Sequence, residues 1–290
     1  MADIFQILLS GLCFGAIYAL LAVSFALIYR STRTINFAQG HLAIVGSYIT
    51  LSATTTLGLP YIVAAAIGIT AVAVLSMIIE VAAFRPLYRS GAVLVIVSSI
   101  ALSFVLETLI QLGWGSQSVR LAPISSATFP VGGVIISAQQ IFVLLGLGVC
   151  VGGLLVLLRS RIGRAMRATA ERSDVALLMG IRSSTMITAS YGLAGVLTGV
   201  AGVLIAPLTY LEPNSGASLG LVGVVAAIVG GLGNVTGAVI GGIIIGIINL
   251  LGAYVLGGGA VELLTFSVLA IVLLIKPEGL LGEEGTAVRG

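Results

Sequence analysis

Nine stretches of this chain, at approximately 5–29, 37–58, 61–84, 91–113, 138–158, 186–208, 218–233, 236–256 and 260–275, run with scarcely a charge among them. No other property restricts the fold as strongly. A hydrophobic helix needs about 20 residues to cross a hydrocarbon core of roughly 30 Å, and most of these stretches meet that length. They are continuous runs of Ala, Leu, Ile, Val and Gly, without the period-two alternation of a lipid-facing strand, so they read as helices and not as a barrel. With 59% hydrophobic and 8% charged residues, the chain has too few polar side chains to clothe a water-soluble domain. The predicted fold class is all-α: one polytopic transmembrane bundle over residues 1–290, of about nine spans. The seventh stretch is short and Gly230, Gly231, Gly233 and Gly237 follow it, which allows a broken or re-entrant pair within 218–256 and a count of eight to ten. The opening "MADIFQILLSGLCFGAIYALLAVSFALIYR" has no basic leader and an apolar run longer than a signal peptide's core; it reads as a retained first span.

Basic residues remain with cytoplasmic loops, which tests the alternation. With nine crossings, an external amino terminus and a cytoplasmic carboxyl terminus, twelve of the thirteen basic residues fall on the cytoplasmic side and only Arg120 lies outside. The two longer external segments, about 114–137 and 209–217, are rich in Pro, Ser and Gly and read as loops.

Several functions are excluded. There is no phosphate-binding "GxxxxGK[ST]", and "GGLGNVTG" misses the dinucleotide spacing by one residue. Cys13 and Cys150 lie in apolar runs without metal-ligand spacing, and one histidine with two scattered cysteines makes neither a metal site nor a nucleophile with its base. The net charge of +3 is not displayed on a polar face, which argues against nucleic acid. No cofactor is expected in this chain.

Charge instead concentrates in one loop. Residues 159–184 hold six arginines with Glu171 and Asp174. Within it "ATAERSDVALLMG" predicts a helix: Ala168, Glu171, Val175 and Leu178 fall on one stripe, and Gly180 supplies a left-handed cap. Val175, Leu178 and Met179 are then exposed unless something covers them. Docking into a partner's groove and lying flat on anionic lipid both account for such a patch.

"GRAMRATAERSDVALLMGI" resembles the cytoplasmic loop of permease subunits from bacterial ABC importers of the branched-chain amino acid type. "INFAQGHLAIVGSYI" at 35–49, "EVAAFRPLYR" at 80–89, "GGLGNVTGAVIGGIIIGI" at 230–247 and "KPEGLLG" at 276–282 are similar to the same family, in the same order. The resemblance implies an inner-membrane subunit that pairs with a second permease, identical or related, and works with two cytoplasmic ATPases that bind ATP and Mg and with an external substrate-binding protein. Carried onto this sequence it places ATPase coupling on Arg164, Arg167, Ala168, Glu171, Asp174, Val175, Leu178, Met179 and Gly180. The match to the broad Glu-Ala-Ala coupling pattern is loose, since Arg172 and Ser173 stand where the alanines would be.

Candidate residues of the translocation path are Asn36, Gln39, His41 and Glu107. The first three open the second stretch, where helix-end hydrogen bonding competes with substrate contact. His41, the sole histidine, has no acidic neighbour at helical spacing. Glu107 lies deeper, and a charge at mid-bilayer costs at least about 2.5–3.5 kcal/mol, so it must face protein or water. Glu80, one turn from the cytoplasmic end, is expected to pair with Arg85. The expected cargo is a branched-chain or other hydrophobic amino acid. Urea or a short amide, and an ion-coupled transporter or channel, are the alternatives.

Overall fold

A computed structural model describes residues 2–131 and 133–282. Among them are eleven α-helices: α1 (Ala2–Thr32), α2 (Gln39–Thr55), α3 (Tyr61–Ile79), α4 (Ala92–Trp114), α5 (Ala138–Arg159), α6 (Arg161–Glu171), α7 (Ser173–Leu178), α8 (Ser183–Ile205), α9 (Ser215–Gly230), α10 (Val235–Leu256) and α11 (Val261–Ile275). Each apolar stretch of the sequence holds one helix. Six are long and apolar enough to cross a bilayer, the second of them being α3 with its continuation to Ser90; α9 and α11 are shorter apolar helices. The fold is all-α and multi-pass. One addition lies in the 114–137 segment, where β1 (Thr128–Val131) and β2 (Val134–Ser137) form an antiparallel hairpin.

Helix α1 is the axis of the bundle, and Ala16, Ile17, Leu20, Leu21, Ala22 and Val23 on it are wholly buried. It packs on α10, α8, α9 and α5, while α8 also backs onto α3 and α2. Bare lipid would offer no hydrophobic drive for such contacts; close backbone approach does. The two glycine pairs of α10 show how. A Cβ at Gly242 would stand 2.3 Å from Ala19 Cα, and one at Gly246 2.2 Å from Gly15 Cα, so this face seats α1; Gly237 and Gly241 meet Gly230 and Ala226 in the same way and seat α9. In α8, Gly195 and Gly199 lie against Ala73 and Ile69 of α3. The outward flanks of α3, α4, α5 and α11 remain apolar and exposed, with Ile62, Leu112, Val149 and Leu274 among them.

Three apolar helices are too short for a full crossing: α2, α9 and α11, of 17, 16 and 15 residues, are about 23–26 Å long at 1.5 Å per residue. The start of α2 is recessed: Gln39 hydrogen-bonds Ser24 Oγ, which lies two turns back from the end of α1, roughly 12 Å inside it. Residues 33–38 reach that depth without helix. The sequence allowed a broken or re-entrant pair within 218–256; there the chain leaves helix at 231–234, between α9 and α10, and non-helical entries also precede α2, at 33–38, and α9, at 206–214.

At one end of the bundle Gln6 exchanges hydrogen bonds with the Ile135 backbone, Val119 bridges to Leu211, and Arg120 donates to Pro207 O. At the other end the end of α1, the α5–α6 corner and the 232–236 turn surround a cavity of about 350 Å³ containing Arg30, Arg33, Arg159 and Arg167. Tyr88, Gly91 and Glu171 adjoin there, and Leu281 bonds Asn234. Arg289 lies outside the described residues.

Candidate functional site

The loop after α5 is built rather than slack. Ser160 caps α6 by accepting from Gly163 N–H, and Arg164 and Arg167 donate to Arg159 O and Leu158 O, where a helix end leaves carbonyls without partners. Gly163, Met166 and Thr169 face inward at three-residue spacing. Arg172, at φ −147° and ψ 88°, then ends the helix. The single helix predicted across 168–180 is therefore two, and the stripe of Ala168, Glu171, Val175 and Leu178 is split at that residue. Ala168 and Glu171 belong to α6, with Glu171 turned toward the arginine-lined cavity; Val175 and Leu178 belong to α7.

The predicted cap at Gly180 is present. Its φ of 81° lets Gly180 N–H reach Leu177 O and Ile181 N–H reach Ala176 O, both bonds of a Schellman close. Ala176 is buried beneath this turn, whereas Leu177, Leu178 and Met179 are 63%, 88% and 75% exposed. Val175 is exposed as well. The side chain of Asp174 lies outside the described residues. A rigid apolar tip thus projects from the basic end of the bundle.

The second constellation lies inside the bundle. Gln39 Nε2 donates to Thr198 Oγ1 at 2.6 Å, Ser24 Oγ at 3.3 Å and Ala194 O at 3.4 Å, and its Oε1 accepts from Asn36 Nδ2 at 3.2 Å. Asn36 Oδ1 in turn accepts from Ala38 N–H. Asn36 and Gln39 therefore tie the start of α2 to α1 and α8. Beside them, α2 and α9 begin against each other and run in opposite directions: a Cβ on Gly40 would overlap Gly216 O, and one on Gly216 would lie 2.6 Å from His41 Cδ2.

His41 is buried, and neither ring nitrogen has a hydrogen-bond partner. Its Nε2 lies 3.5 Å from Glu107 Oε2, whose side chain is 24% exposed and also accepts from Gln111. The acidic neighbour that the sequence lacks at helical spacing is supplied by α4, 66 positions away. The facing helix starts carry partial positive charge, and Glu107 places a carboxylate beside the imidazole; these groups pair no nucleophile with a base for covalent chemistry.

Residues 7–276 match the family described as branched-chain amino acid transport system / permease component. The chain belongs to this family. It is similar to the high-affinity branched-chain amino acid transport system permease protein BraD of Pseudomonas aeruginosa, at 33% identity over 96% of this chain and 95% of that one. Similarity to LivH of Escherichia coli K12 is 30%, again over 96% and 95%. A probable LivH of Methanocaldococcus jannaschii is also 30% identical, over 96% and 93%. Among solved structures, a chain of PsaBC from Streptococcus pneumoniae in complex with Fab shares the fold, with a TM-score of 0.53 at 13% identity over 94% of this chain and 92% of that one.

In this permease the Glu80–Arg85 pair is formed as expected, with Arg85 donating to both carboxylate oxygens, at 3.1 and 2.8 Å. Glu80 is completely buried and opens a π-helical turn, Glu80–Phe84, that ends α3. Thr188 on α8 donates to the same carboxylate at 2.7 Å. Sequence reasoning missed Thr188, Thr198 and Ser24, because a hydroxyl within an apolar run usually satisfies itself on its own helix.

Proposed function

We propose that this permease is one half of the membrane path of an ATP-driven importer in the bacterial inner membrane, carrying branched-chain or other hydrophobic amino acids. It pairs with a second permease, identical or related, and receives cargo from an external binding protein. Two cytoplasmic ATPases bind ATP and Mg; the permease itself is no enzyme and needs no cofactor. Nine crossings with the basic end in the cytosol fit the gathering of arginines at one end, provided α2 and α9 complete their crossings through the non-helical segments that precede them.

The observation that carries this reading is the exposed Leu177, Leu178 and Met179 on a turn closed by Gly180. Held rigidly, that tip suits a groove on a motor subunit, with Arg164, Arg167 and Glu171 alongside. Branched-chain cargo is supported by the relatives, described as branched-chain amino acid transport permeases, and by the predominantly apolar helices around the His41–Glu107 contact. Urea or a short amide would need more polar contacts than Asn36 and Gln39 leave free. An ion-coupled carrier would need a coordinating site, and no group of three His, Cys, Asp or Glu exists among the described residues.

The test is co-purification. Leu178→Asp, and separately Gly180→Val, should reduce recovery of the ATPase with the permease by about tenfold, the effect of losing one well-packed apolar anchor. Insertion and permease pairing should be unchanged. Normal ATPase recovery with both variants refutes the coupling role.

A further inference from the structure

We propose that the arginine-lined cavity at the basic end is a binding site for the phosphate headgroup of an anionic phospholipid, with one acyl chain lying along α5. Arg30 and Arg33 from the end of α1, Arg159 from α5 and Arg167 from α6 converge on a space of about 350 Å³. Among the described residues a single carboxylate, Glu171, stands against the four guanidiniums. The ion pairs among the described residues are His41–Glu107 and Arg85–Glu80, so none of the four arginines has a carboxylate within bonding range. Like charges spread apart unless an anion holds them together, and a planar guanidinium matches a phosphate by paired hydrogen bonds.

Two further features point the same way. Arg33 is the one non-glycine residue among those described with positive φ, at 56°, a position at a helix end that glycine normally fills. The guanidinium there lies over the Tyr29 ring, 5.8 Å away, beside the cavity. The opposite wall is the first turn of the 22-residue α10, at Val235 and Thr236, whose free N–H groups favour an anion.

The choice of a lipid over free phosphate rests on α5. Leu155 and Leu158 belong to the cavity wall. Gly148, Gly152 and Leu155 lie on the helical stripe that runs up from Arg159, and a Cβ built on Gly148 or Gly152 meets nothing within 4 Å. α5 is also the least covered of the six long spans. An open, apolar furrow therefore leads from the bilayer into a basic pocket, the arrangement that holds anionic headgroups between membrane helices. This site adjoins the proposed ATPase-docking tip through Arg167 and Glu171, but the three arginines tested below, Arg30, Arg33 and Arg159, lie outside that tip.

Native mass spectrometry of the full chain, purified in mild detergent and offered equal phosphatidylglycerol and phosphatidylethanolamine, tests it. Wild type should retain phosphatidylglycerol in preference, and Arg30→Gln/Arg33→Gln/Arg159→Gln should weaken retention about tenfold or more, as expected for three lost charges. The matching Arg→Lys triple should keep most of it, separating lost charge from lost fold. Arg89→Gln, which removes a charge outside the cavity, should bind as wild type. Filling the furrow with Gly152→Trp should reduce lipid retention while leaving the arginines intact. Equal loss with Arg89→Gln, undiminished retention in the glutamine triple, displacement of the lipid by millimolar inorganic phosphate, or absence of lipid from the intact transporter complex would each overturn the proposal.

Discussion

Glu80 sets the residue-scale problem of this protein: a carboxylate with no exposed surface, at the end of an apolar helix. Two hydrogen bonds from Arg85 and one from Thr188 make it tenable. Hydrogen bonds to a charged group each contribute about 1.5–3 kcal/mol, and Arg85 is 38% exposed, so the lower figure applies. Glu80→Leu should lower the thermal midpoint in detergent by several degrees, whereas Thr188→Val should cost less because Arg85 remains. Gln39 poses the same issue without charge. Gln39→Leu leaves Thr198, Ser24 and Asn36 without their partner, at about 1–3 kcal/mol for buried groups so orphaned. Uptake assays on His41→Gln and Glu107→Gln address the path: both should slow transport at unchanged expression, and unaltered uptake in both would reduce the pair to packing. The sequence made Glu80–Arg85 visible, since the partners are five residues apart. His41–Glu107 and Gln39–Thr198 were invisible, since nothing local connects their helices.

At the scale of elements, the glycine spacing of α10 decides how the bundle closes. A side chain at Gly246 would collide with the α1 backbone, so Gly246→Leu should force α10 away and abolish folded protein in detergent extracts. Gly153, where a Cβ meets open space, should accept Leu with full yield. The same comparison distinguishes a packing stripe from a glycine of no consequence, which pattern alone did not do. The short helices α2 and α9 carry the other element-scale lesson. Their apolar content matched a span, yet their starts meet inside the bundle, because Gly40 and Gly216 allow the backbones to touch. The 168–180 segment departs from expectation in the opposite sense. Its periodicity ran through Arg172, but an extended backbone there divides the helix, and periodicity cannot report one residue's φ and ψ.

On the scale of the whole molecule, the separation of its two ends governs how it sits in a bilayer. With Cys13 and Cys150 changed to alanine, a single cysteine at Ser90 should be labelled only from the cytosolic side and one at Ser118 only from outside. Reversed or two-sided labelling would refute the proposed orientation. The exposed apolar tip of α7 and the arginine cavity share the basic end but differ in what covers them. The first is proposed to meet a motor subunit in water, and the second a lipid headgroup from the bilayer.

What the sequence determined by itself follows from the solvent. Where water is absent, backbone groups must be satisfied within helices, so the length and continuity of apolar runs dictate class, and charge in the loops dictates which end is basic. Motif order added the family. Only the tertiary structure decided which polar side chains meet, that α2 and α9 start against each other, and that four arginines converge on one cavity. Those contacts join residues far apart in the chain, and their geometry depends on how closely glycine allows two helices to approach.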